Sequence, residues 1–127
     1  MRLLILGGSG MLGHQLWRSL HTRHDIWVTL RRPAADFAPH HLFDKAKSIQ
    51  VDDITDDTAL GQALGQAKPD AVINCVGLIK QRDEASDEAL AVRVNAEFPH
   101  RLAKRCGEIV ARLIHFSTDC VFAGTRG

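Results

Sequence analysis

The chain has 127 residues, of which 45% are hydrophobic and 24% charged, and its formal net charge at pH 7 is +1. A chain of this length holds one domain with a single core, and no apolar stretch approaches the ~20 residues of a membrane span. The balanced charge and the absence of a basic run argue against nucleic acid or a membrane surface as a partner.

Cysteine usage and the opening residues favour a cytoplasmic protein. Cys75, Cys106 and Cys120 are odd in number and show no CxxC spacing, which is typical of reduced thiols. The apolar run MRLLIL is too short for a signal peptide and leads into glycines. The seven histidines show no convincing metal-ligand spacing with cysteine or carboxylate, so we expect no metal.

Short apolar runs alternate with helical spacings along the chain. We predict strands at 2–6, 26–30, 49–51, 69–77 and 111–116. The first helix, 11–23, places Leu12, Leu16 and Leu20 on one stripe. A second helix over 53–67 is entered at Thr55 or Asp56.

Between these elements, residues 31–47 contain two prolines and are predicted as mostly loop, with a short helical turn as the alternative. The third helical spacing, 83–106, contains Pro99, which is expected to kink or divide the helix. Regular alternation of strands and helices implies right-handed βαβ units. The predicted fold class is therefore α/β, a doubly wound parallel sheet of five strands in the order 3-2-1-4-5.

Gly7, Gly10 and Gly13 form a GxxGxxG pattern between the first strand and the first helix. Gly7 permits a tight turn, Gly10 the approach of a pyrophosphate to the helix N-terminus, and Gly13 close packing of helix on sheet. Met11 and Leu12, which lie between the last two glycines, belong to the same predicted cofactor contact. A glycine-rich turn without a ligand is the alternative.

The end of the second strand indicates which dinucleotide binds. The sequence TLRRP places Arg31 and Arg32 there and has no carboxylate. Arginine accommodates the 2′-phosphate of NADP, whereas an acidic residue would bind the ribose of NAD. NADP is therefore favoured and NAD remains possible, with solvated loop arginines as the alternative.

The stretches that identify a family are, in chain order, GGSGMLG, DDITD, PDAVINCVG, VNAEFPHRLAKRC and LIHFSTDCVFAG. With them the chain resembles the extended short-chain dehydrogenase/reductase family, and within it the dTDP-4-dehydrorhamnose reductase group. The resemblance spans residues 1–127 and implies a Rossmann-like NAD(P)-binding domain. It further implies an oxidoreductase that reduces a 4-keto nucleotide sugar.

The resemblance also implies roles for residues that follow the third and fourth strands. Asp53 would contact the adenine amino group and Ile54 the adenine ring, although Asp53 could serve only as a helix-entry residue. Asn95 would order the cofactor side of the site, or be a kink or surface residue. The segment beside the ribose and phosphates would be Cys75, Val76 and Gly77.

The Ser-Thr-Asp stretch after the fifth strand is where the resemblance places the chemistry. Hydride arriving at a carbonyl leaves an alkoxide, which needs fixed hydrogen-bond donors and an acid. Thr118 would hydrogen-bond the carbonyl oxygen, Ser117 would lie on the cofactor side, and Asp119 would contact the substrate. A helix cap or turn is the alternative for this stretch.

Two departures from the family bear on activity. Cys120 stands where these reductases have tyrosine, and the chain contains no tyrosine for the family's Tyr-x-x-x-Lys motif. We therefore expect this chain alone to be inactive and to be the N-terminal part of a longer enzyme. The alternative functions are an epimerase or dehydratase of the same family, and a non-catalytic dinucleotide-binding sensor or assembly module. A homo-oligomer is the oligomeric state left open.

Overall fold

The computed structural model describes residues 1–76 and 96–116, in which five strands form one parallel sheet. Neighbouring strands are all parallel, and their order is β3-β2-β1-β4-β5. This confirms the predicted doubly wound order 3-2-1-4-5. The strands are β1 (Arg2–Leu6), β2 (Asp25–Leu30), β3 (Ser48–Gln50), β4 (Ala71–Asn74) and β5 (Arg112–His115).

Helices cover both faces of this sheet. The α-helices of the described ranges are α1 (Met11–Leu20), α2 (Asp57–Ala67) and α3 (Phe98–Glu108), and two short 3₁₀ helices, Ala34–His40 and Lys45–Lys47, lie in the predicted loop. Because side chains alternate along a strand, Leu3 and Ile5 of β1 pack on the α1 side. Leu4 and Leu6 pack on the α2 and α3 side.

The start of α2 follows from its local sequence. The Asp56 carboxylate accepts a hydrogen bond from the Ala59 N–H at 3.0 Å, which caps the helix and confirms entry at one of the two predicted residues. Asp57 in the first turn complements the positive end of the helix dipole. The buried face of the helix is formed by Leu60, Ala63, Leu64 and Ala67.

The predicted leucine stripe of α1 is partly wrong. Leu12 is 39% exposed, whereas the buried residues of the helix are Gly13 and Trp17. The missing side chain of Gly13 lets α1 approach the sheet closely, so the face centred on Gly13 and Trp17 turns inward. The helix also ends at Leu20, three residues before the predicted end.

The remaining boundaries differ by small shifts. β3 begins at Ser48, one residue earlier than predicted, and β4 ends at Asn74 rather than at residue 77. Pro99 lies in the first turn of α3, where its missing N–H costs no helical hydrogen bond. The predicted helical segment upstream, residues 83–95, lies outside the described residues.

Candidate cofactor-binding site

The glycine turn joins the carboxyl end of β1 to the start of α1 and is held by β2. Gly7 has φ +79°, a conformation that glycine adopts without strain. Its N–H donates to the Thr29 hydroxyl oxygen at 3.1 Å, and the Gly8 N–H donates to the Thr29 carbonyl at 2.9 Å. Sequence reasoning missed Thr29, whose only signal was a hydroxyl in an otherwise apolar strand end.

Close packing within the protein requires two of the glycines. A β-carbon on Gly13 would lie 2.2 Å from the Gly7 carbonyl oxygen. A β-carbon on Gly8 would lie 2.9 Å from the Val28 Cβ. Neither position can accept a side chain unless β1, β2 or α1 moves.

Gly10 is different, because nothing in the described structure requires a glycine there. Its φ of −68° and ψ of 169° are open to any residue, and the nearest atom to an added β-carbon is the Gly7 carbonyl oxygen at 3.6 Å. Gly10 is also the N-cap of α1, and it makes no side-chain capping bond. The bare backbone therefore leaves the positive end of α1 accessible to an anion.

The first turn of α1 is well suited to such a ligand. It contains no acidic residue, and Met11 and Leu12 are exposed. The half-buried His14 ring lies against this turn, with its Nδ1 2.8 Å from the Gly10 carbonyl oxygen. Sequence reasoning did not single out His14 because a histidine at one helical position carries no pattern.

Arg31 and Arg32 follow the last residue of β2 but differ in their contacts. Arg32 pairs with Asp36, with 3.1 Å between Nε and Oδ2. Arg31 is exposed and makes no ion pair with any other described residue. Arg31 is therefore the guanidinium available to a phosphate beside β2.

Asp53 and Ile54 lie between β3 and α2. The Asp53 carboxylate accepts hydrogen bonds from the Thr55 N–H and the Thr55 hydroxyl, which supports its helix-entry role. Ile54 is 9% exposed and packs in the core, so little of its side chain is available to an adenine ring. A groove of about 480 Å³ runs past Asp53 between β3 and α2, with carboxamides and carboxylates along it: Gln50, Asp52, Asp56, Gln62 and Gln66.

The carboxyl end of β4 lies directly against the glycine turn. A β-carbon on Gly7 would be 3.2 Å from Val76 Cγ2 and 3.4 Å from the Cys75 carbonyl. Burial raises the pKa of the Cys75 thiol to about 11, so at neutral pH it is a protonated packing group. The Val76 N–H donates to the side-chain oxygen of the buried Asn74 at 3.0 Å.

Five of the predicted site residues fall outside the described ranges. These residues are Gly77, Asn95, Ser117, Thr118 and Asp119. Among the others, the structure brings the glycine turn together with Cys75 and Val76. Within residues 1–76 and 96–116, no group of His, Cys, Asp and Glu side chains could hold a metal ion. No helix in those ranges is long and apolar enough to cross a membrane.

Comparison with known proteins finds relatives that are named dTDP-4-dehydrorhamnose reductases. It is 36% identical to a dTDP-4-dehydrorhamnose reductase of Streptomyces griseus, over 99% of this chain and 36% of that protein. The crystal structure of a dTDP-4-dehydrorhamnose reductase from Bacillus anthracis in complex with NADP matches 98% of this chain and 39% of its own, at 30% identity and a TM-score of 0.68.

A second solved structure carries the other dinucleotide. The Bordetella bronchiseptica enzyme WbmG in complex with NAD is 29% identical, with a TM-score of 0.71, over 94% of this chain and 38% of its own. The chain thus spans little more than a third of the length of these proteins. Residues 1–127 match the family described as the RmlD substrate binding domain, and the chain belongs to that family.

Proposed function

We propose that this chain is the NADP-binding part of an oxidoreductase that reduces the 4-keto group of a nucleotide sugar. The observation that carries the proposal is Gly10. Its backbone and its surroundings accept a side chain, yet the position is a glycine at the uncapped N-terminus of α1. The close approach of a pyrophosphate would explain why this position is a glycine.

The glycine turn would hold the pyrophosphate through the backbone N–H groups of Met11, Leu12 and Gly13, and Gly10 would let it approach them. The N–H groups of the first helical turn are the donors, and the dipole of α1 favours the negative charge. Thr29 stabilises the arrangement, because its hydroxyl and carbonyl oxygens hold the N–H groups of Gly7 and Gly8. The turn is therefore fixed before a ligand arrives.

Arg31 would select NADP over NAD. It follows β2 two residues after Thr29, which bonds the glycine turn. It makes no ion pair with another described residue. A guanidinium donates two parallel hydrogen bonds to a phosphate. Arg32, which pairs with Asp36, would contribute less. NAD stays the second candidate, because a similar protein was solved with NAD.

Other residues would complete the cofactor site. Asp53 would meet the adenine amino group from the edge of the groove between β3 and α2. Ile54 would contact the adenine ring with the small part of its side chain that is exposed. Beside the ribose and phosphates we place Cys75, Val76 and Gly77. Asn95 would order the cofactor side of the site, and Ser117 would also belong to it.

The chemical step would centre on Thr118. Bound NADPH supplies the hydride, and the Thr118 hydroxyl would donate to the carbonyl oxygen as negative charge develops on it. Asp119 would bind the sugar. The nucleotide-sugar substrate is inferred from the similar dTDP-4-dehydrorhamnose reductases. Since the chain has no tyrosine to act as the family's acid, we expect these 127 residues to bind cofactor without turnover.

Isothermal titration calorimetry of the chain with NADPH, and separately with NADH, tests the proposal. We expect saturable binding of one NADPH per chain and weaker binding of NADH. Heat of dilution alone with both dinucleotides would contradict dinucleotide binding. Equal affinities would contradict the role of Arg31 while leaving the pyrophosphate site intact.

A further inference from the structure

Asn74 is the last residue of β4, and its side chain is completely buried. Its side chain links the end of β4 to His115 in β5, 41 residues further along the chain. Its side-chain oxygen is 3.0 Å from the Val76 nitrogen, and its side-chain nitrogen is 3.0 Å from His115 Nδ1. The register of the sheet brings this about, because Asn74 is the parallel partner of His115 in β5.

The chemistry of the two neighbours determines the orientation of the amide. The Val76 backbone N–H can only donate, so the carbonyl oxygen of the Asn74 side chain must face it. The NH₂ group then faces His115 and donates to Nδ1. His115 Nδ1 must therefore carry no proton, which places the ring proton of the neutral imidazole on Nε2.

Val76 is in turn part of the surface against which the glycine turn packs. The position of an added β-carbon on Gly7 is 3.2 Å from Val76 Cγ2. The Cys75 N–H donates to the Leu6 carbonyl at 3.0 Å, immediately before that turn. Hydrogen bonds therefore link the end of β5 to Val76 through the Asn74 amide, and Val76 lies beside Gly7.

We propose that Asn74 is a positioning residue that couples the end of β5 to the cofactor turn, with His115 as the acceptor that holds its amide in place. Loss of the His115 acceptor frees the NH₂ group to seek other partners and lets the amide rotate. The Val76 N–H then loses its partner, and the packing beneath Gly7 loosens. Only the expected change in NADPH affinity rests on the proposed function. The contact between His115, Asn74 and Val76 does not depend on it.

Substitution of His115 tests the coupling, because the ring is exposed and its replacement does not open the core. His115→Phe keeps an aromatic ring and removes the acceptor. His115→Asn places an oxygen where Nδ1 stood. His100→Phe, a change at an exposed histidine on α3, is the matched control.

Two readouts are needed: amide hydrogen exchange at Val76, relative to Leu4 in the core of β1, and the dissociation constant of NADPH. In His115→Phe we expect exchange at Val76 about fivefold faster and NADPH binding about threefold weaker, the size of one lost hydrogen bond or less. We expect His115→Asn to restore both values and His100→Phe to change neither.

Unchanged exchange at Val76 in His115→Phe would overturn the proposal. Faster exchange with unchanged NADPH affinity would overturn the coupling, and failure of His115→Asn to restore either value would show that the acceptor atom is not the cause. If the unsubstituted chain binds neither dinucleotide, the proposed function fails. The exchange comparison still decides whether His115 holds Val76 through Asn74.

Discussion

Gly13 lies so close to Gly7 that a β-carbon on Gly13 would stand 2.2 Å from the Gly7 carbonyl oxygen. That contact sets the distance between α1 and the end of β1. Gly10 lies between them in sequence, and the nearest atom to a β-carbon added there is 3.6 Å away, an ordinary van der Waals distance. The glycines of one motif therefore differ in what requires them. Gly13 is required by the packing of the protein, whereas no packing contact requires Gly10, which we propose leaves room for a ligand.

Gly10→Val should abolish NADPH binding while leaving the chain folded. The extended backbone at Gly10 accepts a β-branched residue, and the side chain would fill the space in front of the α1 N-terminus. Calorimetric titration with NADPH and thermal unfolding measure the two effects. Gly13→Ala is the contrasting variant, since we expect it to lower the stability. Unaltered NADPH affinity in folded Gly10→Val would rule out the pyrophosphate site.

Arg31→Asp should shift the preference from NADPH toward NADH. Loss of a charge-assisted hydrogen bond to a phosphate costs about 1.5–3 kcal/mol, so the ratio of the two affinities should change roughly tenfold or more. Arg32→Asp makes the same change in charge one residue away. We expect a smaller effect there because Arg32 pairs with Asp36. Equal shifts in both variants would point to general electrostatics rather than to a contact by Arg31.

The sequence predicted the fold well because the signals it depends on are local. β1, β2 and β4 are mainly apolar runs. Their alternation with helices leaves few ways to order a parallel sheet. The start of α2 could be narrowed to Thr55 or Asp56, because both are residue types that cap helices and both precede an apolar helical spacing. The buried face of α1 could not be predicted, because leucine spacing alone does not reveal that Gly13 lets the Trp17 face of the helix turn inward.

The sequence can suggest site residues only where a role depends on one short stretch. The glycine turn and Arg31 follow from single motifs. The Asn74–His115 contact does not, because it depends on the register between β4 and β5, which no local pattern of residues specifies. Thr29 was missed for the same reason, since its role appears only when β2 lies beside the turn after β1.

Val110→Gly should stabilise the chain by about 1 kcal/mol. Val110 has φ +56° at the end of α3, and its N–H donates to the Gly107 carbonyl while the Ala111 N–H donates to the Cys106 carbonyl. These bonds form the helix ending that usually has glycine in the left-handed position. A β-branched residue there is strained by roughly 1–2 kcal/mol, which exceeds the entropic cost of glycine.

Urea unfolding of Val110→Gly and of Val110→Ala measures this strain. The side chain is 91% exposed, so its removal costs little packing. Alanine keeps the β-carbon and should recover only part of the gain. A glycine variant no more stable than the unsubstituted chain would contradict the strain.

Asp57→Asn should lower stability at neutral pH and have no effect in acid. Asp57 at the start of α2 bonds the Arg105 guanidinium of α3 through both carboxylate oxygens, and this contact lowers the pKa of the Asp57 carboxyl group below its ordinary value. Because the pKa in the folded state is lower than in the unfolded state, the pair stabilises the fold above the unfolded-state pKa. That contribution is lost as the pH falls through the folded-state pKa.

Urea unfolding at a series of pH values, for the unsubstituted chain and for Asp57→Asn, measures this dependence. We expect the two stability curves to converge as the pH falls below the ordinary range of an aspartate, about 3.9. Added salt should reduce the difference at neutral pH, because both partners are partly exposed. Asp52→Asn, at an exposed carboxylate in the loop before α2, controls for net charge and should show a smaller dependence. A constant difference between Asp57→Asn and the unsubstituted chain at all pH values would mean that the ion pair does not link α2 to α3 in solution.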